Sequence, residues 1–243
     1  MKYPTVVILT GAGISAESGI QTFRGSDGLW ENHRIEDVAT PEAFIRNPAL
    51  VQRFYNERRH QLLSIKIAPN PAHDAIGKLE QEYPGKVWVI TQNIDNLHER
   101  AGTCNLVHMH GEMLRMFCEH CRERFDITGD ISSGDQCTAC GRVGGLRPDI
   151  VWFGEMPHQM EFISELLEHC DLFVAIGTSG NVYPAAGFVQ RAGRAGASTV
   201  ELNLEPSQVE NDFITHRYGP AGKLVPLLVD EILSGEVISA ANL

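Results

Sequence analysis

Short runs of apolar, β-branched residues recur along the chain and alternate with longer stretches of helical periodicity. Runs of this length without polar alternation are typical of parallel strands that are buried on both faces. They predict strands at residues 5–10, 86–91, 106–109, 171–176 and 199–203.

The stretches between these runs predict helices, several of which begin with a proline at a first-turn position. Alternation of strand and helix predicts an α/β fold with a doubly wound, parallel, Rossmann-like sheet. The predicted helices cover residues 41–46, 48–65, 71–83, 159–169, 184–195 and 224–234.

Two stretches interrupt the alternation. The first, near residues 31–68, has helical patterns without a strand, and the second, near 113–147, is rich in cysteine, glycine and charge. We interpret them as a helical insertion (31–68) and a second insertion (113–147) that together form a smaller domain. The Rossmann-like domain then comprises 1–30, 69–112 and 148–243, and the cleft between the two domains is the expected ligand site.

Composition narrows the possible partners. The 243 residues are 43% hydrophobic, and 31 acidic against 20 basic side chains give a net charge of -11, so direct nucleic-acid binding is not expected. The N-terminus carries no signal-peptide core, and no stretch is long enough for a membrane span. We therefore expect a cytoplasmic, bacterial-type monomer that does not bind membranes.

A glycine-rich segment follows the first predicted strand. Residues 11–16 read GAGISA and match G-x-G-x-x-G/A, a pattern in which backbone amides approach a pyrophosphate. Many such segments are only tight turns, so both interpretations stay open at this point. An ordinary dehydrogenase would also place an acidic residue after a second strand, about twenty residues on. In this chain that region is predicted to be helical. The nearest match, LNLE at 202–205, follows the last predicted strand and predicts a rearranged dinucleotide site, with residues 23–30 able to close over it.

Four cysteines have the spacing of a metal site. Cys118 and Cys121 form one C-x-x-C pair, and Cys137 and Cys140 form another after fifteen residues. This spacing fits one structural zinc ion held by four thiolates. Redox pairs or disulfides are the alternatives, and the tandem pairs in a chain without an export signal disfavour both. His120 is expected to be a bystander, and Cys104 and Cys170 to be buried small hydrophobes.

Further segments resemble a known family when taken with the zinc spacing. They read GAGISAESGI at 11–20, TQNID at 91–95, HMHGE at 108–112, VWFGE at 151–155 and GTS at 177–179. In this order over nearly the whole chain, they resemble the sirtuin family of NAD-dependent protein deacylases. The residues Gln21 and Thr22 depart from the family, in which many members have a proline before the pair that corresponds to Phe23 and Arg24.

The resemblance implies that NAD is consumed as a co-substrate and that an acyl group moves from a protein lysine to ADP-ribose. A ribose hydroxyl then has to lose a proton. His110 is the expected general base, since imidazole titrates near neutral pH. A lone histidine is more often structural, and only the flanking motifs reverse that preference.

The resemblance also assigns cofactor contacts. Asn93 and Asp95 have helix capping as an alternative role, because either could begin a helix toward Ala101. The implied NAD-binding residues are Gly11, Ala12, Gly13, Ser15, Glu17, Phe23, Arg24, Trp30, Gln92, Asn93, Ile94, Asp95, Gly177, Thr178, Ser179, Asn203, Leu204, Glu205 and Ala221.

Substrate contacts are implied at two places. Val151, Phe153 and Gly154 would bind an acyl-lysine peptide as an added strand. Tyr55 and Arg58, three residues apart on a predicted helix, point the same way and could grip a carboxylate. From the spacing alone, the favoured interpretation is that Tyr55 is a core residue beside the solvent-exposed basic run 58–60. In sirtuins that remove succinyl and malonyl groups a Tyr-x-x-Arg pair occurs, and Ala39 matches the small residue that widens their acyl pocket.

The resemblance thus implies a class III, desuccinylase- or demalonylase-type enzyme that also deacetylates. Two alternatives remain. The same NAD site could support mono-ADP-ribosyl transfer to a protein side chain, or the chain could be an NAD-binding regulatory module without turnover. A missing base or a broken 92–95 segment would have favoured the second, and neither is seen.

Overall fold

A six-stranded parallel sheet forms the centre of the protein. The computed structural model describes residues 2–21, 29–30, 33–236 and 238. Its strands are β1 (Thr5–Thr10), β4 (Lys86–Thr91), β5 (Leu106–His108), β9 (Leu172–Ile176), β10 (Ser198–Asn203) and β11 (Thr215–Tyr218). They have the order β11-β10-β9-β1-β4-β5, and every neighbouring pair is parallel.

Helices cover both faces of this sheet, which confirms the predicted doubly wound α/β class. Thr40, Asn47 and Asn70 cap the second, third and fourth helices, and each of these helices begins with a proline. The helices are α1 (Ile35–Val38), α2 (Pro41–Arg46), α3 (Pro48–Leu62), α4 (Pro71–Glu82), α5 (Leu97–Arg100), α6 (Met160–Glu168), α7 (Phe188–Arg194) and α8 (Ala221–Ser234).

The core has one layer on each side of the sheet. On one side, α4 and α8 pack on strand residues such as Ile8 and Val89, and on the other side α6 and α7 pack on Leu9 and Phe173. Alternate residues of each strand face opposite layers, so a continuous apolar run is what such a strand needs.

A smaller unit lies outside the main sheet. It contains an antiparallel sheet of β6 (Gly111–Cys118), β7 (Arg124–Asp126) and β8 (Leu146–Ile150) in the order β7-β6-β8. A third apolar cluster joins α2 and α3 to this sheet through Phe54, Tyr55 and Trp152. The domain boundaries given above stay a prediction.

Some predicted elements were wrong in detail. Residues 31–68 were expected to lack a strand, but β3 (His33–Arg34) pairs with β2 (Leu29–Trp30). The predicted helix 184–195 starts as a 3-10 helix, Ala185–Gly187, before α7, and β11 follows the strand expected to be the last.

Among the residues that the structure describes, no helix is both long enough and apolar enough to cross a membrane.

Candidate active site

A cleft with a volume of about 1020 Å³ runs along the carboxyl ends of β1, β4, β9 and β10. It lies between the six-stranded sheet and the three-stranded sheet. Ligand sites of α/β sheets lie at this edge. The structure brings the predicted cofactor and substrate residues together here, except Phe23 and Arg24, which lie outside the described residues. The predicted residues that line the cleft are Gly11, Ala12, Gly13, Ser15, Glu17, Trp30, Tyr55, Arg58, Gln92, Asn93, Ile94, Asp95, His110, Val151, Phe153, Gly154, Gly177, Thr178, Ser179, Asn203, Leu204, Glu205 and Ala221.

The glycine-rich segment forms a 3-10 helix, Ala12–Ser18, directly after β1. Its glycines are required by packing on the next loop. A Cβ on Gly11 would lie 2.7 Å from the carbonyl oxygen of Gly177, and a Cβ on Gly13 would lie 2.6 Å from the Cα of Gly177. The Gly13 amide donates to that same carbonyl at 2.9 Å. The closely packed backbones of Gly11, Gly13 and Gly177 form one surface of the cleft, which we call its floor. A dinucleotide can approach this floor without meeting side chains.

Polar side chains from the 92–95 segment are fixed beside this floor. The Asn93 amide donates to the Gly11 carbonyl at 3.2 Å and to Ser15 Oγ at 3.1 Å. The Gln92 amide donates to Thr178 Oγ1 at 3.0 Å. Donors and acceptors from three loops are therefore held in one arrangement, as the recognition of a ribose and a carboxamide requires.

Asp95 serves the helix as well as the cleft. One carboxylate oxygen accepts from the Leu97 amide at 3.1 Å at the start of α5, and the other accepts from Ser15 Oγ at 2.9 Å. Asp95 thus binds a backbone amide next to Asn96, the N-cap residue of α5, and it also lines the cleft. Burial raises the pKa of Asp95, although these two donors oppose the shift.

His110 lines the cleft, and one of its ring nitrogens makes a hydrogen bond. Its Nδ1 lies 3.1 Å from the Gln92 carbonyl oxygen, which only accepts, so Nδ1 carries the hydrogen. The neutral ring then has a lone pair on Nε2. Burial lowers the pKa of His110, which the Gln92 carbonyl opposes and His158 reinforces. A neutral imidazole with a fixed tautomer is suited to remove a proton.

The loops after β9 and β10 close the other end of the cleft. Asn203 donates to the Thr178 carbonyl at 2.8 Å, which links the two loops. Glu17, predicted to bind cofactor, accepts from the Gly222 amide at 2.8 Å and so holds the first turn of α8 against the glycine-rich segment. Both residues still line the cleft.

Tyr55 and Arg58 lie at the end of the cleft formed by α3, together with Ala39. Tyr55 is fully buried, whereas the Arg58 side chain is 15% exposed. The Arg58 guanidinium lies 4.2 Å from the centroid of the Phe54 ring and donates to the Phe54 carbonyl at 3.2 Å. It also pairs with the exposed Glu57 at 3.0 Å. The phenol and the cation are therefore neighbours on the wall of one recess.

Two residues at this end have roles that were not predicted from the sequence. Trp152 donates from Nε1 to the Tyr55 hydroxyl at 3.0 Å, and the Arg147 guanidinium lies 3.5 Å from the centroid of the Trp152 ring. The only sequence signal was the position of Trp152 between the predicted peptide contacts Val151 and Phe153. Nothing in the sequence connects Arg147 to Trp152, because their contact depends on the path of the chain after β8.

The predicted peptide contacts, Val151, Phe153 and Gly154, form part of the rim of the cleft. The Val151 amide donates to the His110 carbonyl at 2.9 Å, and the Phe153 amide donates to the Ala39 carbonyl at 3.0 Å. Gly154 has a φ of +92° with open space where a Cβ would be. The segment thus runs along the cleft beside the base, where an extended peptide could lie.

The four predicted zinc ligands converge. The sulfur atoms of Cys118, Cys121, Cys137 and Cys140 lie within 4.8 Å of one another, with separations of 3.8 Å and 3.7 Å for two of the pairs. Zn–S bonds of about 2.3 Å in a tetrahedron require S–S separations of about 3.8 Å, so the residues fit the ion. Of the other cysteines, Cys170 is buried as expected, but Cys104 is exposed, because it lies in the surface turn before β5.

Comparison with known proteins agrees with this geometry. The model of the Sir2 family matches residues 11–184. A curated relative, "NAD-dependent protein deacylase" from Vibrio cholerae serotype O1, is 61% identical over 236 residues, which cover 97% of this chain and 96% of the relative.

Solved structures are similar over the same length. A Sir2 homologue in complex with NAD superposes with a TM-score of 0.87 at 36% identity, covering 96% of this chain and 91% of that one. A complex described as Sir2-p53 peptide-NAD+ has a TM-score of 0.81 at 29% identity, covering 95% of this chain and 94% of that one.

Proposed function

The chain belongs to the Sir2, or sirtuin, family, and we propose that it is an NAD-dependent protein-lysine deacylase with an acyl pocket selective for acidic acyl groups. Its products are nicotinamide, O-acyl-ADP-ribose and free lysine. The deacylase activity follows from the family and from relatives named for it, and the acyl preference is our inference from the site.

When bound, NAD supplies the ADP-ribosyl group that receives the acyl group. The Gly11–Gly13 floor would hold its phosphates, and Asn203 and Glu205 would hold the adenosine ribose. The carboxamide and nicotinamide ribose would face Asn93 and Asp95, whose side chains are already fixed by hydrogen bonds. Preorganised donors and acceptors bind without a further ordering cost.

His110 would act as the general base. The Gln92 carbonyl fixes its tautomer, and its lowered pKa keeps the ring neutral at physiological pH. The base would take its proton from a ribose hydroxyl of bound NAD, which the 92–95 segment would hold in the same cleft as His110. This step distinguishes deacylation from simple loss of nicotinamide.

The observation that carries the acyl preference is the placement of Tyr55 and Arg58 on the same cleft as His110. A lysine whose carbonyl reaches the base would direct its acyl chain toward these two side chains. A succinyl or malonyl group would meet a guanidinium and a phenol, both of which bind carboxylates. Ala39 leaves room for the longer chain. An acetyl group would fit, but it offers no charge for Arg58 to bind.

The peptide would lie along residues 151–154 and bind through main-chain hydrogen bonds, so many sequences should serve as substrates. The relative in complex with a p53 peptide supports a protein or peptide substrate. A cytoplasmic location and a monomeric state remain part of the proposal.

Product identification tests the proposal. Purified protein is incubated with NAD and with acetyl-, malonyl- or succinyl-lysine forms of one peptide, and products are identified by mass spectrometry. We expect free lysine peptide and O-acyl-ADP-ribose in each case, with higher kcat/KM for the acidic acyl groups. Peptide carrying ADP-ribose would favour mono-ADP-ribosyl transfer, and NAD binding without turnover would favour a regulatory module.

A further inference from the structure

Trp152 lines the cleft at the end where Tyr55 and Arg58 lie. It is 2% exposed and donates from Nε1 to the hydroxyl of the fully buried Tyr55 at 3.0 Å. An indole N–H only donates, so the direction of this hydrogen bond is unambiguous. The Tyr55 oxygen is the acceptor, so the Tyr55 proton is not used in this hydrogen bond.

The hydroxyl of Tyr55 makes no second hydrogen bond to any residue in the described part of the chain. Burial raises the pKa of Tyr55, which keeps the phenol protonated. The ring lines the cleft next to Arg58. A phenol whose oxygen is held by a donor on one side turns its proton toward the other side, and an accepted hydrogen bond strengthens the one that is donated.

The indole itself is held firmly. The Arg147 guanidinium lies over the Trp152 ring at 3.5 Å and forms a bidentate pair with Glu155, at 3.0 Å and 2.7 Å. The same Glu155 carboxylate accepts from the Trp152 backbone amide at 2.8 Å. Phe44 packs on the ring, with the two centroids 5.4 Å apart. The donor is therefore fixed by contacts that do not involve the substrate.

We propose that Trp152 determines acyl specificity as a positioning residue, because its indole N–H aims the Tyr55 hydroxyl proton at the carboxylate of an acidic acyl group. This inference rests on the proposed acyl preference. Trp152 does not bind the acyl group itself. Its role is to make Tyr55 a donor of fixed direction, so that the phenol and Arg58 bind the same carboxylate.

A double-mutant cycle tests the inference. The ratio of kcat/KM for succinyl-lysine to that for acetyl-lysine is measured in wild type, Trp152→Phe, Tyr55→Phe and the double variant. Trp152→Phe keeps an aromatic ring under Arg147 but removes the donor. We expect it to lower the ratio by roughly three- to tenfold, through a higher KM for the succinyl peptide. In the Tyr55→Phe background the same change should lower the ratio no further.

Trp88→Phe is the matched control, because Trp88 packs on Phe162 away from the cleft and should leave the ratio unchanged. An unchanged ratio in Trp152→Phe, or an equal loss with and without the Tyr55 hydroxyl, would overturn the inference. If Tyr55→Phe and Arg58→Met also left the ratio unchanged, the proposed acyl preference itself would fail. The two failures are thus distinguishable.

A second measurement uses the wild-type chain, in case Trp152→Phe does not fold. The chain has three tryptophans, so the Trp152 indole resonance in a 15N NMR spectrum can be assigned by elimination with Trp30→Phe and Trp88→Phe. We expect this resonance to move when a succinyl peptide binds, and the movement to vanish in Tyr55→Phe. Equal movement in both proteins would contradict the coupling.

Discussion

His108 and His110 are two residues apart at the end of β5, yet their surroundings shift their pKa values in opposite directions. Burial opposes protonation of both rings. At His108 the Glu99 carboxylate, 2.8 Å away, acts together with Glu112 and the Asn93 carbonyl, and their combined effect exceeds that of burial and raises the pKa. His110 contacts a neutral carbonyl instead, and its pKa is lowered. The sequence motif singled out His110, but the difference between the two rings depends on Glu99 of α5, whose position the sequence does not give.

His110→Ala should lose most deacylation and keep its affinity for NAD. General-base catalysis contributes about two to four orders of magnitude in rate, and in this structure the ring makes no hydrogen bond to the glycine-rich segment. Calorimetry measures NAD binding, and product formation measures turnover. Wild-type turnover by the variant would show that another group is the base.

The acid limb of the pH profile should lie below pH 6.5. The base acts only when His110 is neutral, and its pKa is lowered from the ordinary value of 6.5 by burial. The neutral form therefore persists as pH falls through 6.5, and activity is lost only at lower pH. The measurement is kcat/KM against pH with succinyl-lysine peptide, because kcat/KM reports the ionisation of groups in the free enzyme. A limb above pH 6.5 would contradict the environment described for His110.

At the scale of elements, the buried parallel strands were predictable because they are continuous apolar runs. β11 was missed because its residues alternate, with Thr215 and Arg217 buried between exposed neighbours, as in a short strand at the sheet edge. β6 and β7 were missed because most of their residues lie in the stretch rich in cysteine, glycine and charge. β8 was missed because its sequence, LRPDI, is not a continuous apolar run. First-turn prolines marked the starts of α2, α3 and α4 correctly.

Removing one zinc ligand should unfold the module that carries β6 to β8. Cys118→Ser or Cys140→Ser breaks a closed four-thiolate shell whose binding energy folds the small apolar cluster around Ile131. We expect about one zinc ion per wild-type chain, and loss of both metal and folding yield in the variants.

Metal analysis and thermal unfolding check this prediction. Cys104→Ser is the control, because Cys104 is exposed and outside the cluster, and it should keep the zinc and the stability of wild type. Folded, active protein without zinc would contradict the assignment.

At the scale of the molecule, the cleft assembles residues that are far apart in sequence. Alternation of strands and helices predicted the class of fold, and the family motifs predicted which residues line the cleft. Neither gave the strand order β11-β10-β9-β1-β4-β5 or the contact of Tyr55 with Trp152 across 97 positions. Such contacts are set by the packing of α3 against β8 in the third apolar cluster.

The most direct test of the proposed acyl preference is a competition between succinyl- and acetyl-lysine forms of one peptide, for wild type and Arg58→Met. Charge-assisted hydrogen bonds contribute about 1.5 to 3 kcal/mol each. Wild type should therefore favour the succinyl peptide, and Arg58→Met should lower that preference by about tenfold or more while deacetylation falls far less. Arg53→Met, an exposed arginine on the same helix, is the control and should behave as wild type. Equal loss of both activities in Arg58→Met would contradict the account and leave Arg58 a structural residue.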